Sequence, residues 1–386
     1  MYTVYLGFLL KEVIMAFEEF GSLLSEICSH SPLAGDRPFL WTIIANPKAG
    51  GFTIKPRWKK HLAQLNECKQ RAAKNPAREF CGPSETGRQE GGKEGLLFTK
   101  ARGHAKEITE TLIGEASKAA ASAEKRPFNL VITAGGDGTS LEVMTALYGA
   151  SEKIREDFAV LRLPMGTAND GADSFFLDEA LNLIIEPPAL VKQRAIRLRT
   201  ASGKGPFLAF NILSVGLDAF VTHMTNKMKG KLPGDSYKLW VDVSALFYDK
   251  IYKVGVMNLS SADEQKKEAI TLNEKLLLIA VGESGRRCYG SQNWILPDDR
   301  NICVIRQMPL LRKLVLKGLF SKGTHADKKE AVLWNSSRVE FKSQHPLLAQ
   351  MDGETVLLEA NDFPAVIELT EPAINVLGKR DRRPWK

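Results

Sequence analysis

The residues best suited to chemistry lie between Leu130 and Val143, where a glycine-rich turn containing one carboxylate follows an apolar run. The apolar and β-branched residues Leu130–Thr133 predict a buried parallel strand, and the segment after the turn predicts a helix. The glycines of Gly135–Gly138 let the backbone turn sharply at the N-terminus of that helix, where a phosphate is favoured. Asp137 suits a bound phosphate when Mg²⁺ lies between the two. The segment therefore predicts a site for phosphate and Mg²⁺.

Two other segments repeat this arrangement of a strand followed by a polar turn. Leu40–Gly51 is an apolar run that ends in Asn-Pro and a pair of glycines, and Ala159–Asp170 ends in Pro-x-Gly-Thr-x-Asn-Asp. The carboxyl ends of parallel strands meet at one edge of an open α/β sheet, which is where such sheets bind ligands. The three turns are therefore expected to form one site.

These turns resemble, in type and in order, the motifs of the diacylglycerol kinase catalytic-domain family, and most of all those of its bacterial lipid kinases. The resemblance rests on three motifs: Asn46-Pro47-x-x-Gly50, Gly135-Gly136-Asp137-Gly138-Thr139 and Pro164-x-Gly166-Thr167-x-Asn169-Asp170. It continues in three further segments: Phe98–Ile108, Phe210–Val221 and the Asp-Gly-Glu of Met351–Glu354. A glycine-rich turn alone is a weak signal, whereas these motifs in this order are specific. Together they cover roughly residues 40 to 378.

The resemblance implies an α/β fold in two domains, an N-terminal Rossmann-like (NAD kinase/phosphofructokinase-like) parallel-sheet domain followed by a mainly antiparallel β-sandwich domain. The sequence pattern agrees, because short strand-like runs separated by turns begin at about Gln193. We expect a helical N-terminal extension over residues 1–38, an ATP-binding α/β domain over 39–185 and a β-sandwich substrate domain over 186–365. Residues 366–386 are expected to return onto the first domain and to end in a basic tail.

The resemblance also implies ATP-dependent phosphoryl transfer to the hydroxyl of a diacylglycerol-like lipid, with ATP and Mg²⁺ as cofactors. Glu354 is expected to be the general base, with Asp352 as its orienter, in a cleft between the two domains. Asp137 and Asp170 are expected to hold the catalytic Mg²⁺. The residues expected to bind nucleotide are Asn46, Thr99, Gly135, Gly136, Asp137, Gly138, Thr139 and Thr167.

Two positions depart from the family's pattern. The family's lipid kinases share a second metal site in the sandwich, and the matching residues here are Leu296, Asp299 and Asn301. Arg300 stands where the family usually has glycine, and a cation beside this site disfavours the second metal. Leu141 replaces an asparagine that many members carry before the acidic residue matched by Glu142, which removes one side-chain contact.

Several functions are compatible with these residues. GGDGT also fits an NAD kinase, whereas PxGTxND, the NPxxG start and the late DGE favour a lipid kinase. A sphingoid-base or phosphatidylglycerol kinase is a close variant, so the sequence leaves the lipid open. A catalytically silent nucleotide or lipid sensor on the same fold is a further alternative, which the intact Asp137, Asp170 and Glu354 disfavour.

Composition limits the partners and the compartment. The net charge of +8 suits ATP or an anionic membrane surface. Nucleic acid is disfavoured, because the sequence shows no zinc-ligand spacing, RNA-binding aromatic signature or helix-turn-helix pattern. The five cysteines include no CxxC pair, and no run of eighteen apolar residues occurs. We therefore expect a reduced, cytoplasmic protein without a transmembrane helix, in peripheral contact with the membrane at most.

Segments outside the motifs carry further expectations. The N-terminal helix is expected to pack on the core, with pairing to a second copy as a homodimer, or membrane contact, as alternatives. Residues 70–95 are rich in polar residues, glycine and proline, and predict a solvated loop. Helices are predicted at residues 236–248 and 310–320. The second combines apolar and basic residues, so it is expected either to pack on the sandwich or to lie on an anionic membrane.

Overall fold

The computed structural model describes residues 17–79, 81–89, 95–122, 124–228, 248, 254–290 and 293–378. The chain divides into two compact units. The first comprises residues up to Lys192 and a return segment that starts at Ala373, and the second runs from Gln193 to Pro372. Both boundaries between the two units lie later in the chain than the expected boundaries at residues 186 and 366. The reason is that a strand at 191–193 still belongs to the first sheet and a strand at 365–369 to the second.

Strands and helices alternate in the first unit. Its strands are β1 (Phe39–Ala45), β2 (Cys81–Pro83), β3 (Leu96–Phe98), β4 (Phe128–Gly135), β5 (Phe158–Pro164), β6 (Val191–Gln193) and, from the return segment, β20 (Ile374–Val376). Its helices are α1 (residues 17–29), α2 (Gly50–Thr53), α3 (Lys55–Ala72), α4 (Glu85–Gln89), α5 (His104–Ser122), α6 (Asp137–Gly149), α7 (Glu152–Arg155) and α8 (Leu177–Ile185).

The strands of the first unit form one sheet in the order β2-β1-β4-β5-β20-β6, with β3 also paired to β1. β1 pairs in parallel with β4, and β4 in parallel with β5. β4 and β5 are buried at every position, which explains their continuous apolar runs. Because these strands are parallel, the turns after β1, β4 and β5 lie at the same edge of the sheet, as the sequence predicts.

Helix α1 packs on the core of the first unit. Phe20, Leu24 and Ile27 are fully buried in the same hydrophobic cluster as Ile43 of β1 and Leu65 of α3. The expected packing is therefore observed from residue 17 onwards. Residues 1–16 lie outside the described part of the chain.

The prediction of a solvated loop over residues 70–95 is wrong. β2 pairs in parallel with β1, with Phe39 opposite Cys81, and α4 follows directly. Ser84 and Thr42 are both buried, and their hydroxyl groups lie 2.6 Å apart. Pro83 lacks an amide hydrogen for a ladder, but an edge strand such as β2 tolerates this. This polar segment therefore contains a short edge strand of the first sheet.

Antiparallel strands dominate the second unit. They are β7 (Ile196–Arg199), β8 (Phe207–Ala209), β9 (Ile212–Gly216), β10 (Val256–Asp263), β11 (Glu268–Gly282), β12 (Arg287–Tyr289), β13 (Asn293–Leu296), β14 (Ile302–Arg306), β15 (Ala331–Trp334), β16 (Arg338–Ser343), β17 (Leu347–Met351), β18 (Glu354–Leu358) and β19 (Ala365–Leu369). The helices are α9 (Leu217–Met228) and α10 (Leu310–Lys322), with 3-10 turns η1 (Thr324–Asp327) and η2 (Ala360–Asp362).

The large sheet of the second unit folds over its own core. Its order is β18-β17-β9-β11-β10-β16-β19-β7-β8, with β14 paired to β11 and β15 paired to β14. The long strand β11 pairs with β10 through its first half and with β9 and β14 through its second half. Val215, Leu259, Phe341 and Ile367 come from different parts of this sheet and share one buried cluster. This arrangement confirms the expected two-part fold class.

Helix α10 is observed where a helix was predicted, whereas the predicted helix at 236–248 lies outside the described residues apart from Tyr248. Leu316 is buried against the sheet, while Leu310, Leu311 and Val315 are 44%, 77% and 49% exposed. Helix α10 therefore packs on the second unit through one face and presents apolar side chains on another. Within the described ranges, no helix has the length and apolar character needed to span a bilayer.

Candidate active site

The turns after β1, β3, β4 and β5 meet at one edge of the first sheet. The Asn46 amide donates to the Ala134 carbonyl at 3.0 Å, and the Thr99 amide donates to the Ala45 carbonyl at 2.9 Å. The Gly51 amide donates to the Met165 carbonyl at 2.8 Å. The residues that the sequence assigns to nucleotide binding are thereby brought together by backbone contacts within one unit.

The glycine turn leads directly into helix α6. Gly136 is the N-cap, with φ −90° and ψ −178°, and no side chain caps the helix there. Asp137, Gly138 and Thr139 form the first turn, and the Thr139 amide donates to the carbonyl of Gly136 at 3.0 Å. An uncapped helix N-terminus carries a partial positive charge, so this turn is suited to a phosphate group.

The loop Pro164–Asp170 packs tightly against the glycine turn. A Cβ atom added to Gly166 would lie 2.7 Å from the Gly136 Cα atom and 2.9 Å from Asn169 Oδ1. Arg57 of α3 donates from Nη1 to the Gly166 carbonyl at 3.0 Å. Asn169 has a left-handed backbone with φ +59°, and its Nδ2 donates to the Pro164 carbonyl at 3.2 Å. The motif Pro-x-Gly-Thr-x-Asn-Asp therefore folds this loop onto the glycine turn.

Asp137 lies between the two turns. Its Oδ1 accepts a hydrogen bond from the Gly171 amide at 2.9 Å, which ties the start of α6 to the end of the second loop. Burial raises the pKa of Asp137, and hydrogen bonds from the Gly171 and Asp170 amides together with the charge of Arg162 lower it in part. A cation at this carboxylate would favour the ionised form that burial disfavours.

The residues present fit a Mg²⁺ ion. Asp137 and the buried Asp170 supply the carboxylate oxygens that Mg²⁺ prefers. Asn169 Oδ1 is buried and has no hydrogen-bond partner in the described structure, so a bound group could satisfy it. Among the residues that the structure describes, no group of three or more His, Cys, Asp or Glu side chains is placed to hold a metal. A metal here would therefore share its coordination with the phosphates and water.

Two buried contacts hold this edge of the sheet. Arg162 of β5 and Asp173 form an ion pair at 2.5 Å, with side chains 3% and 0% exposed. Glu142 of α6 accepts hydrogen bonds from the amides of Gly103 at 2.6 Å and Ala105 at 3.0 Å. Glu142 thus caps the N-terminus of α5 and joins it to α6, which gives it a structural role.

In the second unit, Asp352 braces the turn that precedes β18. Its carboxylate accepts hydrogen bonds from the backbone amides of Phe210, Asn211 and Ile212, the last at 2.9 Å. Asp352 has φ +45° and the following Gly353 has φ +100°. Both residues occupy the left-handed region, which a non-glycine residue adopts only when its surroundings enforce it. Asp352 therefore fixes the backbone that leads into Glu354.

Glu354 is the first residue of β18 and lies opposite Met351 of β17. Its side chain is half-buried. The turn before it is also held by Gln350, whose Oε1 accepts from the Gly353 amide at 3.0 Å. Asn226 of α9 donates from Nδ2 to the Gly353 carbonyl at 2.8 Å. Glu354 thus stands at the end of a firmly held turn, as a positioned carboxylate requires.

Comparison with known proteins finds one matching domain and several similar proteins. Residues 82–200 match the diacylglycerol kinase catalytic domain, and this range contains both the glycine turn and the Pro164–Asp170 loop. A protein named probable lipid kinase YegS-like, from Cronobacter sakazakii, is 26% identical over 278 residues, which are 71% of this chain and 87% of that protein. The chain is therefore similar to proteins named probable lipid kinases and, over residues 82–200, to the diacylglycerol kinase catalytic domain.

Further relatives and structures agree with the match. The probable lipid kinase YegS-like of Yersinia enterocolitica is 27% identical to this chain over 248 residues, 62% of this chain and 77% of that protein. A crystal structure of a candidate diacylglycerol kinase from Bacillus anthracis matches with a TM-score of 0.54 at 18% identity, over 89% of this chain and 98% of that one. The structural match shows that this chain has the same fold.

The residues matched to the family's second metal site are engaged with other groups. The exposed Asp299 carboxylate pairs with Arg286, whose Nε lies 2.7 Å from Oδ1. The Asn301 carbonyl accepts from the Gly282 amide at 2.8 Å. Arg300 pairs with Asp298 instead, and its side chain lowers the pKa of that carboxyl. The expectation that Arg300 disfavours a second metal at this place stays a prediction that metal analysis can test.

Sequence reasoning missed a buried polar group beneath the Asp-Gly-Glu turn. Asp218 of α9, Ser214 of β9 and Gln350 of β17 are joined by side-chain hydrogen bonds. Asp218 is the last residue of the motif Asn211-x₄-Gly216-x-Asp218, which is part of the resemblance. This motif is a sequence signal from which Asp218 could have been chosen as a candidate residue. Gln350 gave no signal, because a single amide in an apolar strand has many structural uses.

Proposed function

We propose that this chain is an ATP-dependent lipid kinase that phosphorylates the hydroxyl of a diacylglycerol-like lipid. The observation that carries the proposal is the packing of the Gly135–Gly138 turn, at the uncapped start of α6, against the Pro164–Asp170 loop within the matched domain. This arrangement offers phosphate-binding amides and two carboxylates at one place. The names of the relatives, which are probable lipid kinases, support the same reaction class.

The first unit would bind the nucleotide. The amides of the first turn of α6 would receive the phosphates, and Asn46, Thr99 and Thr167 border the same edge of the sheet. Thr167 is exposed and Thr99 half-buried, so both can contact a ligand. Asp137 and Asp170 would hold Mg²⁺, which when bound neutralises the charge on the transferring phosphoryl group. The raised pKa of Asp137 fits this role, because an ionised carboxylate is stabilised there by a cation.

Glu354 is our candidate for the general base. In the reaction the lipid oxygen bonds to the γ-phosphorus, the bond from that phosphorus to the β,γ-bridging oxygen breaks, and ADP leaves. The proton of the lipid hydroxyl passes to the Glu354 carboxylate. The Asp352 carboxylate accepts hydrogen bonds from three backbone amides, so Asp352 would hold the turn and would not receive the proton. These hydrogen bonds support the proposal that Asp352 orients Glu354.

A lipid substrate requires contact with a membrane, for which we propose the exposed face of α10. Leu310, Leu311 and Val315 present apolar surface there. Residues 310–330 contain six Lys and Arg against two Asp and Glu, which suits an anionic bilayer.

Leu311→Asp should weaken co-sedimentation of the protein with vesicles containing phosphatidylglycerol, without lowering the melting temperature. Unchanged vesicle binding would assign membrane contact to another surface. Phe176→Asp, at an exposed position in the first unit, is the matched control.

The substrate is tested by presenting purified protein with Mg²⁺, γ-labelled ATP and a panel of lipid alcohols in mixed micelles. Diacylglycerol, a sphingoid base and phosphatidylglycerol form the panel, and NAD is included in a separate reaction. Label in one or more lipids with none in NAD supports a lipid kinase. Label in NAD alone would overturn the proposal. Nucleotide binding without any transfer would point to a sensor.

A further inference from the structure

A buried chain of hydrogen bonds links Asp218 to the turn that carries Glu354. Ser214 Oγ donates to Asp218 Oδ2 at 2.6 Å. Gln350 Nε2 donates to Ser214 Oγ at 3.0 Å, and it lies 3.5 Å from Asp218 Oδ2 and 3.4 Å from the Ile212 carbonyl oxygen. On its other side, Gln350 Oε1 accepts from the Gly353 amide at 3.0 Å. Ser214 and Gln350 are fully buried, so water does not compete for these bonds.

The direction of this chain depends on the charge of Asp218. An ionised carboxylate only accepts hydrogen bonds, so it fixes the NH₂ group of Gln350 on its own side. The carbonyl oxygen of Gln350 must then face the Gly353 amide. A protonated Asp218 would instead donate to Gln350, and the reversed amide would give up the long contact with the Ile212 carbonyl and turn its NH₂ group towards the Gly353 N–H. Two donors would then oppose each other at the turn.

The turn itself depends on outside support. Asp352 and Gly353 both have positive φ angles, and such backbone persists only when several contacts enforce it. The carboxylate of Asp352 fixes the first residue of the turn, and Gln350 fixes the amide of the second. Loss of the Gln350 contact would therefore release the backbone immediately before Glu354.

We propose that Asp218, acting through Gln350, is a positioning residue for the turn that carries Glu354, and that its ionised form alone holds this turn. The inference rests on the proposed function, because it assigns a role in the same reaction. It adds a residue that would touch neither ATP nor lipid. It also gives the reaction a dependence on pH that originates away from the reacting atoms.

The surroundings of Asp218 set the pH range. Burial raises the pKa of Asp218 to about 6, while hydrogen bonds from Ser214 and Gln350 lower it in part. Among the residues that the structure describes, the other titratable groups on α9, on the parts of the chain packed against it and on the adjoining turn are His223, Lys227, Tyr248, Glu268, Glu274, Lys275, Tyr289, Asp352 and Glu354. None of these is among the causes of the shift. Activity is therefore expected above about pH 6 and should be lost as the pH falls through that value.

The first test needs no activity. Hydrogen exchange of the Gly353 amide is measured across pH 5 to 8 and expressed as protection relative to the intrinsic rate. We expect protection in the wild type above about pH 6 and its loss below. Gln350→Met should remove the protection at every pH. Wild-type protection in Gln350→Met, at an unchanged melting temperature, would overturn the proposal.

The second test follows kcat against pH with saturating ATP and lipid. Ser214→Ala removes a hydrogen bond that lowers the pKa of Asp218, so the acidic limb should move to higher pH. Ser343→Ala, which removes a hydrogen bond to the His345 carbonyl elsewhere in the unit, is the control and should leave the limb in place. An unmoved limb in Ser214→Ala would contradict the proposal.

Asp218→Asn gives the complementary result. The variant should fold, because a raised pKa means that the ionised group weakens folding near pH 7 and asparagine removes that charge. We expect the acidic limb to disappear, kcat to fall by about 10- to 100-fold from misplacement of Glu354, and the KM for ATP to stay unchanged. If the wild type phosphorylates no lipid, the proposed function fails, while the exchange measurement still decides the role of Asp218.

Discussion

Gly166→Ala tests whether the two loops at the edge of the first sheet must pack as closely as they do. An added Cβ atom would lie 2.7 Å from the Gly136 Cα atom and 3.2 Å from the Gly135 carbonyl oxygen. Carbon atoms in contact normally lie about 3.5 to 4.0 Å apart, so the loops would have to separate by roughly 1 Å. Overpacking of this kind costs about 1 to 3 kcal/mol. A displacement of about 1 Å can lower catalysis by about 100-fold.

Gly136→Ala provides a matched control on the other side of the same contact. A Cβ atom there would meet nothing within 4 Å, and the backbone has φ −90°, which alanine adopts readily. The stability of this variant should therefore stay within about 0.5 kcal/mol of the wild type. If phosphate binds at the start of α6, the new methyl group should still weaken ATP binding.

Both variants are compared by urea denaturation and by isothermal titration with a non-hydrolysable ATP analogue. We expect Gly166→Ala to lose stability and ATP affinity together, and Gly136→Ala to lose ATP affinity alone. Wild-type stability and affinity in Gly166→Ala would refute the close-packing argument. Wild-type affinity in Gly136→Ala would refute the placement of phosphate on this turn.

Three further predictions follow from the same structure. Glu354→Gln should lower kcat by about 10²- to 10⁴-fold, measured by label transfer to lipid, with unchanged ATP affinity. A change in ATP affinity with a normal kcat would mean that Glu354 binds metal or nucleotide instead. Arg162→Leu should lower the free energy of unfolding by about 3 to 5 kcal/mol, because it leaves Asp173 as an unpaired buried charge; a loss below 1 kcal/mol in urea denaturation would contradict this. Chelation of Mg²⁺ should stop transfer with little change in melting temperature, since Arg286 already pairs with Asp299; a large fall in melting temperature would reveal a structural ion.

The sequence predicts the edge of the first sheet at which the turns after β1, β4 and β5 meet, because each of its parts is local. The apolar run, the glycines and the helix that follow one another around Asp137 specify a strand, a turn and a helix N-terminus without reference to distant residues. Parallel pairing then brings the ends of β1, β4 and β5 to one edge. General rules of α/β sheets supply that last step.

Contacts between distant residues lie beyond sequence reasoning. The brace formed by Asp352 joins residues about 140 positions apart, and Gln350 reaches Ser214 across a similar separation. The edge strand β2 was missed for a different reason. It has three residues, one of them Pro83, inside a polar stretch, and its identity is set by pairing with β1 and by the buried contact of Ser84 with Thr42.

The most direct test of the account measures whether phosphoryl transfer to lipid depends on Asp137. Wild-type protein, Asp137→Asn and a control Asp178→Asn on α8 are incubated with Mg²⁺, γ-labelled ATP and diacylglycerol in mixed micelles, and label in the lipid fraction is counted. Asp178 accepts a hydrogen bond from Gln64 at 2.9 Å, away from the two turns. The account predicts labelled lipid with the wild type and the control, and a loss of at least about 100-fold with a folded Asp137→Asn. Wild-type transfer by Asp137→Asn, or no transfer by the wild type to any lipid alcohol, would contradict it.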